Sequence, residues 1–208
     1  MMFLTQVLIG KPEALALRLH DSYAWHRATW HAFPARDGAR RDFLTRLDDL
    51  GEAFRLLILS GEPPTACPWG RWQTREVKAE FLEHDSYRFQ LRANPSRKLV
   101  VREQDGARVK NGRRVPLTDP DQLDAWLSRK ASGAGFQLVW HEAGAPVEQP
   151  FVRSGRRGKH VGVDFRGVIR IVDRERFRTA FGRGFGSAKA FGFGMLMLEP
   201  IRFDSDHR

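Results

Sequence analysis

The sequence predicts an α+β protein built from two tandem ferredoxin-like (βαββαβ, RRM-like) domains. Two observations carry this expectation. In each half a strand-like run is followed by a helical segment, two more strand-like runs and an α-β completion, and glycine, proline and Asx turns separate the runs. The expected division is 1–95 for the first domain, 96–118 for a connecting hairpin or linker, and 119–208 for the second domain.

The elements follow in order. Met2–Ile9 is apolar and rich in β-branched residues, as in a buried strand. Pro12 suits a first helical turn, and Pro12–Phe33 reads as helix, broken and recapped at Asp21 or Ser22. Arg41–Leu50 and Ala53–Gly61 are strand-like runs on either side of Gly51, and the proline-rich Gly61–Gly70 closes that group. Arg75–His84 and Ser86–Leu99 read as two more strands. Val101–Leu117 carries the turn signals Asp105-Gly106 and Asn111-Gly112 and reads as a hairpin. In Asp119–Ser132, Leu123, Trp126 and Leu127 stand at helical spacing, with an acidic start and Arg129-Lys130 at the end, which complements the helix dipole. Gly135–Ala143, Gln149–Gly155 and His160–Asp173 return to strand character, Arg174–Gly182 to a short helix, and Phe193–Phe203 closes as a strand.

A chain of 208 residues suffices for one large domain or two small ones, and 41% hydrophobic content is that of a globular protein. The 35 Lys and Arg residues against 25 Asp and Glu give a formal charge of +10, which attracts a polyanion. Arginine outnumbers lysine, and its planar fork suits phosphate contacts and base stacking, which favours nucleic acid over a membrane surface. The single cysteine, Cys67, excludes an internal disulfide and a cysteine-based zinc cluster. No apolar run approaches the ~20 residues of a membrane span, and no basic segment precedes "MMFLTQVLI", so the expected location is the cytoplasm.

Three stretches carry candidate chemistry. In "DSYAWHRATWHAF", Tyr23, His26 and Trp30 share one helix face, and a phenol beside an imidazole can divide proton transfers at neutral pH. The same stripe also fits a packed amphipathic face. His20, His26 and His31 lack the spacing of a zinc helix, and Asp48-Asp49 reads as an exposed acidic turn, so no metal site is expected. In the second stretch, Arg156, Arg157, Lys159 and His160 surround Gly155 and Gly158, as in a basic hairpin tip that lies along phosphates or simply meets water. The third, "GFGSAKAFGFGMLML" from Gly184 to Leu198, bares backbone amides around Lys189 and three phenylalanines, a concavity suited to anions. It precedes the last strand and lacks GK[ST], so it is no P-loop.

Together with "RANPSRK", "GRRVPL" and "AWLSRKASGAGF", these features resemble the CasE (Cse3) family of CRISPR-associated endoribonucleases, RAMP-superfamily subunits of the type I-E Cascade complex. The resemblance spans Phe3 to Phe203. It implies an RNase without metal or other cofactor that cuts CRISPR repeat RNA just after a stem-loop and keeps the product. Carried over by position, His26 matches the catalytic histidine and Tyr23 its neighbouring tyrosine, with Lys159 or Arg157 as the cation on the phosphorane. The resemblance further implies RNA contacts from Arg27, Arg129, Lys130, Arg153, Arg156, Arg157, Lys159, His160 and Lys189, a structural loop with Gly184, Gly186, Gly192 and Gly194, and other Cascade subunits, including the backbone subunit, as partners. A non-catalytic RNA-binding subunit on the same fold is the alternative.

Overall fold

The computed structural model describes residues 1–34, 42–99, 114–153 and 155–201. The chain opens with β1 (Phe3–Gly10), α1 (Lys11–Ala16), α2 (Ser22–Trp30), β2 (Leu44–Asp49), β3 (Ala53–Ser60) and β4 (Arg71–Glu76). Of the two expected break points, Asp21 and Ser22, the structure uses Asp21: its Oδ1 accepts from the Tyr23 and Ala24 amides at 3.0 and 2.8 Å and caps α2. The strands form an antiparallel sheet in the order β2-β3-β1-β4, the ferredoxin-like arrangement. Val7 and Ile9 of β1 and Leu56 and Ile58 of β3 meet Trp25 beneath the helices. One departure from βαββαβ follows from Pro63, Pro64 and Pro68, which lack the N–H groups a helix needs. Residues 61–70 instead run as a loop that buries Trp69 in this core.

A 3-10 turn at Ala79–Leu82 leads into β5 (Ser86–Ala93), β6 (Ser96–Lys98), β7 (Arg114–Pro116), α3 (Pro120–Gly133), β8 (Phe136–Ala143), β9 (Val147–Arg153), β10 (Arg156–Ile171), α4 (Arg174–Arg183) and β11 (Leu196–Pro200). The second sheet runs β11-β5-β10-β8, the same arrangement again, and β9 pairs with the first half of β10. Between β6 and β7, which pair with each other, the turn signals Asp105-Gly106 and Asn111-Gly112 lie outside the described residues.

The sheets divide differently from the expected boundary at residue 95. β5 is hydrogen-bonded between β10 and β11 and belongs to the second sheet, so the chain changes sheets within residues 77–85. The reason is packing: Tyr87, Phe89 and Leu91 alternate into a core with Leu123 and Trp126 of α3 and Phe177 of α4. Alternation alone tells which residues point inward, and says nothing about which sheet receives them.

Leu44, Leu57 and Leu59 of the first sheet share that second core, so the two units are joined. Arg92 of β5 adds a polar tie. Its guanidinium donates to the Leu47 carbonyl at 2.7 Å and holds Asp164 at 2.9 and 3.1 Å. Nearby, Asp48 accepts from Arg46 at 3.0 Å and Arg55 at 2.9 Å. Burial pushes the Asp48 carboxyl up, but the Arg55 hydrogen bond and the Arg46 charge outweigh it and hold it below its ordinary value. No helix among the described residues is long and apolar enough to cross a membrane.

Candidate active site

α2 stands where the two units meet. Asp21 Oδ1 caps the helix, while Oδ2 accepts from the Val152 amide of β9 at 3.0 Å. One carboxylate therefore fixes the start of α2 and ties it to the second unit. Burial raises its pKa, but the amides of Ala24, Val152 and Tyr23 and the neighbouring His20 more than reverse that effect and leave it lowered.

One turn further, the His26 ring is half-buried, and its Nε2 accepts from Trp30 Nε1–H at 3.0 Å. A neutral imidazole in this arrangement carries its proton on Nδ1. His26 lies against Phe43 of the first unit at 6.5 Å and Phe191 of the second at 6.0 Å, between ring centroids. Tyr23 lies half-buried one turn before it and makes no side-chain hydrogen bond among the described residues.

The glycine-rich stretch delivers Phe191. Two glycines there are required by geometry. Gly184 has φ +70°, and a Cβ on it would come within 2.7 Å of Leu44 in the first sheet. Gly194 has φ +87°, and its Cβ would meet the Phe185 carbonyl at 2.3 Å. Gly186 and Gly192 also have positive φ, +75° and +87°. Ser187 Oγ anchors the loop, donating to the Asn94 carbonyl at 2.9 Å. The Lys189 ammonium donates to the Arg183 carbonyl at 2.7 Å, at the C-terminal end of α4 where a cation complements the dipole. The lysine expected to meet RNA thus secures its own loop.

The basic residues fall into two groups. Arg156, Arg157 and Lys159 are exposed on the β9–β10 hairpin, where the Arg153 backbone pairs with Arg156. Lys159 Nζ lies 2.5 Å from Glu148 Oε1. Arg129 and Lys130 end α3 and line a separate cleft with Arg176 and Arg183 of α4. The two α4 arginines stand seven residues apart in "RERFRTAFGR", a spacing that places them on one helix face and was the sequence signal for this cleft. Arg27 is exposed on α2.

His160 departs from the expected hairpin tip. It follows Lys159 on a strand, so it points to the opposite face, where it stacks on Phe151 at 4.6 Å and meets Phe191 at 4.6 Å and Phe193 at 5.8 Å. Burial lowers its pKa, and its Nε2 has no hydrogen-bond partner among the described residues. Cys67 is a free, half-buried thiol whose pKa burial raises, which disfavours the thiolate. No group of three or more His, Cys, Asp or Glu among the described residues is arranged to hold a metal ion.

Fold and site together define a tandem ferredoxin-like protein with a histidine on the joint between its units and arginine-rich flanks. Comparison with known proteins narrows the class. The family model described as CRISPR associated protein matches residues 2–200. The chain is 30% identical over 205 residues to the CRISPR system Cascade subunit CasE of Escherichia coli, covering 96% of this chain and 100% of that one. It is 35% identical over 125 residues to the CRISPR-associated endoribonuclease Cse3 of Thermus thermophilus, covering 54% and 55% of the two chains. A structure of CRISPR endoribonuclease Cse3 bound to a 19-nucleotide RNA superposes with TM-score 0.78 at 27% identity, over 96% of this chain and 99% of that one. The crystal structure of Cas6e from Escherichia coli gives 0.75 at 27% identity, over 96% and 100%. The chain belongs to the CRISPR-associated CasE (Cse3) family.

Proposed function

We propose that this protein is a metal-independent endoribonuclease that cuts CRISPR repeat RNA at the base of a stem-loop, retains the product and works in the cytoplasm as a subunit of a Cascade complex. The observation that carries the reading is His26, held by Trp30 beside a cleft whose far wall comes from the second unit. The names of its relatives, a Cascade subunit and an endoribonuclease, support the same assignment.

RNA supplies its own nucleophile. The 2′-OH next to the scissile phosphate attacks phosphorus, forming the 2′-O–P bond and breaking the P–O5′ bond. The proton lost from the 2′-OH goes to a base, and an acid protonates the departing 5′-oxygen. The products are a 2′,3′-cyclic phosphate and a 5′-hydroxyl. His26 exchanges one of these protons, and Tyr23 serves as its partner or orients the sugar. Lys159, released from Glu148, places its charge on the phosphorane. Arg27, Arg129, Lys130, Arg156 and Arg157 hold the stem by its phosphates.

The test is cleavage of a repeat RNA in EDTA. Wild type is expected to cut and leave a cyclic phosphate, while His26→Ala binds with unchanged affinity and cuts about 10²–10⁴-fold more slowly. Equal cleavage by the variant removes His26 from the mechanism, and loss of wild-type cleavage in EDTA contradicts metal independence.

A further inference from the structure

Two cavities meet at Phe191. The first, about 610 Å3, has largely apolar walls that include Leu15, Trp25, Leu47 and Phe54, with His26 among them. The second, about 490 Å3, has apolar walls that include Val115, Pro116 and Val161, and adds the cations Arg114 and Lys159 beside Asn94 and Ser187. Phe191 lines both, and the ion pair between Glu148 of the first and Lys159 of the second joins their rims. In the wall of the apolar cavity Ser22 Oγ is buried with no hydrogen-bond partner among the described residues, and Gln149 belongs to the same lining.

A largely apolar slot next to one that carries Arg114 and Lys159 matches the two halves of a nucleotide, a flat base and an anionic phosphate. The chemistry also favours such a slot. A 2′-OH can attack in line with the leaving 5′-oxygen only after the nucleotides on either side of the scissile bond leave regular stacking. Unstacking costs least for a base that is already unpaired. In RNA cut after a stem, that is the base on the 3′ side of the cut.

Resting on the function proposed above, we infer that the apolar cavity receives the base of the nucleotide immediately 3′ to the scissile phosphate. The base lies against Phe191 with its polar edge toward Ser22 and Gln149. The second cavity, with Arg114 and Lys159, holds the scissile phosphate at that nucleotide's 5′ side, and Lys159 exchanges Glu148 for it.

The test compares single-turnover cleavage of three repeat RNAs: unmodified, abasic at the first nucleotide 3′ of the cut, and abasic at the second. Wild type is expected to cut the first-position abasic RNA about tenfold more slowly than the unmodified RNA, the scale of one base–aromatic stack. The second-position RNA is expected to be cut at the full rate. Leu15→Trp fills the cavity mouth from a position that is 76% exposed, so the fold is kept. It is expected to slow the unmodified RNA to the rate of the abasic one without weakening stem binding. If all three RNAs are cut alike, the inference is overturned while the endoribonuclease reading stands. If the unmodified RNA is not cut, both fall.

Discussion

The two ferredoxin-like units share one sheet order and differ in what they add to it. The first omits a helix, filling residues 61–70 with a proline-rich loop, and contributes the capped helix that bears His26. The second keeps both helices and adds the β9–β10 hairpin and the glycine-rich loop. Those additions reach back to α2, through the Val152 amide on Asp21 and the Phe191 ring on His26. Under the proposed function the two units divide the labour: the first carries His26, and the second covers it with Phe191 and presents the hairpin cations Arg156, Arg157 and Lys159.

This comparison can be broken at the loop, where the largest effect is expected. Gly194→Ala forces a Cβ against the Phe185 carbonyl at a positive φ and should destabilise the protein by about 3 kcal/mol or more, read from chemical denaturation. A variant as stable as wild type would mean that the loop has freedom to move. The division of cations is sharpened by Arg156→Gln with Arg157→Gln. RNA binding should weaken, and the slope of log K against log salt should flatten by roughly 1 to 2 as phosphate contacts are lost. An unchanged slope would put the hairpin away from the RNA backbone.

The smallest effect concerns the aromatic joint. Burial keeps the folded His160 pKa below the ordinary 6.5, so the unfolded chain takes up a proton first as pH falls. Stability present above about pH 6.5 is lost as pH drops from there toward the folded value. His160→Phe removes the titrating group, and its stability should be flatter with pH across that window. A wild-type-like acid slope in the variant would assign the loss to other groups.

Much of this was legible in the sequence. Asp21 and Ser22 marked the start of α2 to within one residue, and spacing set Tyr23, His26 and Trp30 on one side of it. Three features were less accessible. β5 has the alternation of a strand in either sheet, and only its partners decide. The role of Lys189 depends on a carbonyl six residues earlier, brought near by the fold. His160 sits among cations and glycines in the sequence, yet strand alternation turns it inward to Phe151, Phe191 and Phe193. Phe191 itself could be recognised as part of the site only once the loop was seen to cross to the other unit.

That crossing is the central claim, and Phe191→Ala tests it most directly. In single-turnover cleavage of repeat RNA the variant should lose roughly 10- to 100-fold in rate, the scale of a misplaced catalytic group, with RNA affinity changed much less. Phe191→Leu should recover most of the loss by restoring an apolar cover. A wild-type cleavage rate in Phe191→Ala would contradict an active site completed by the second unit.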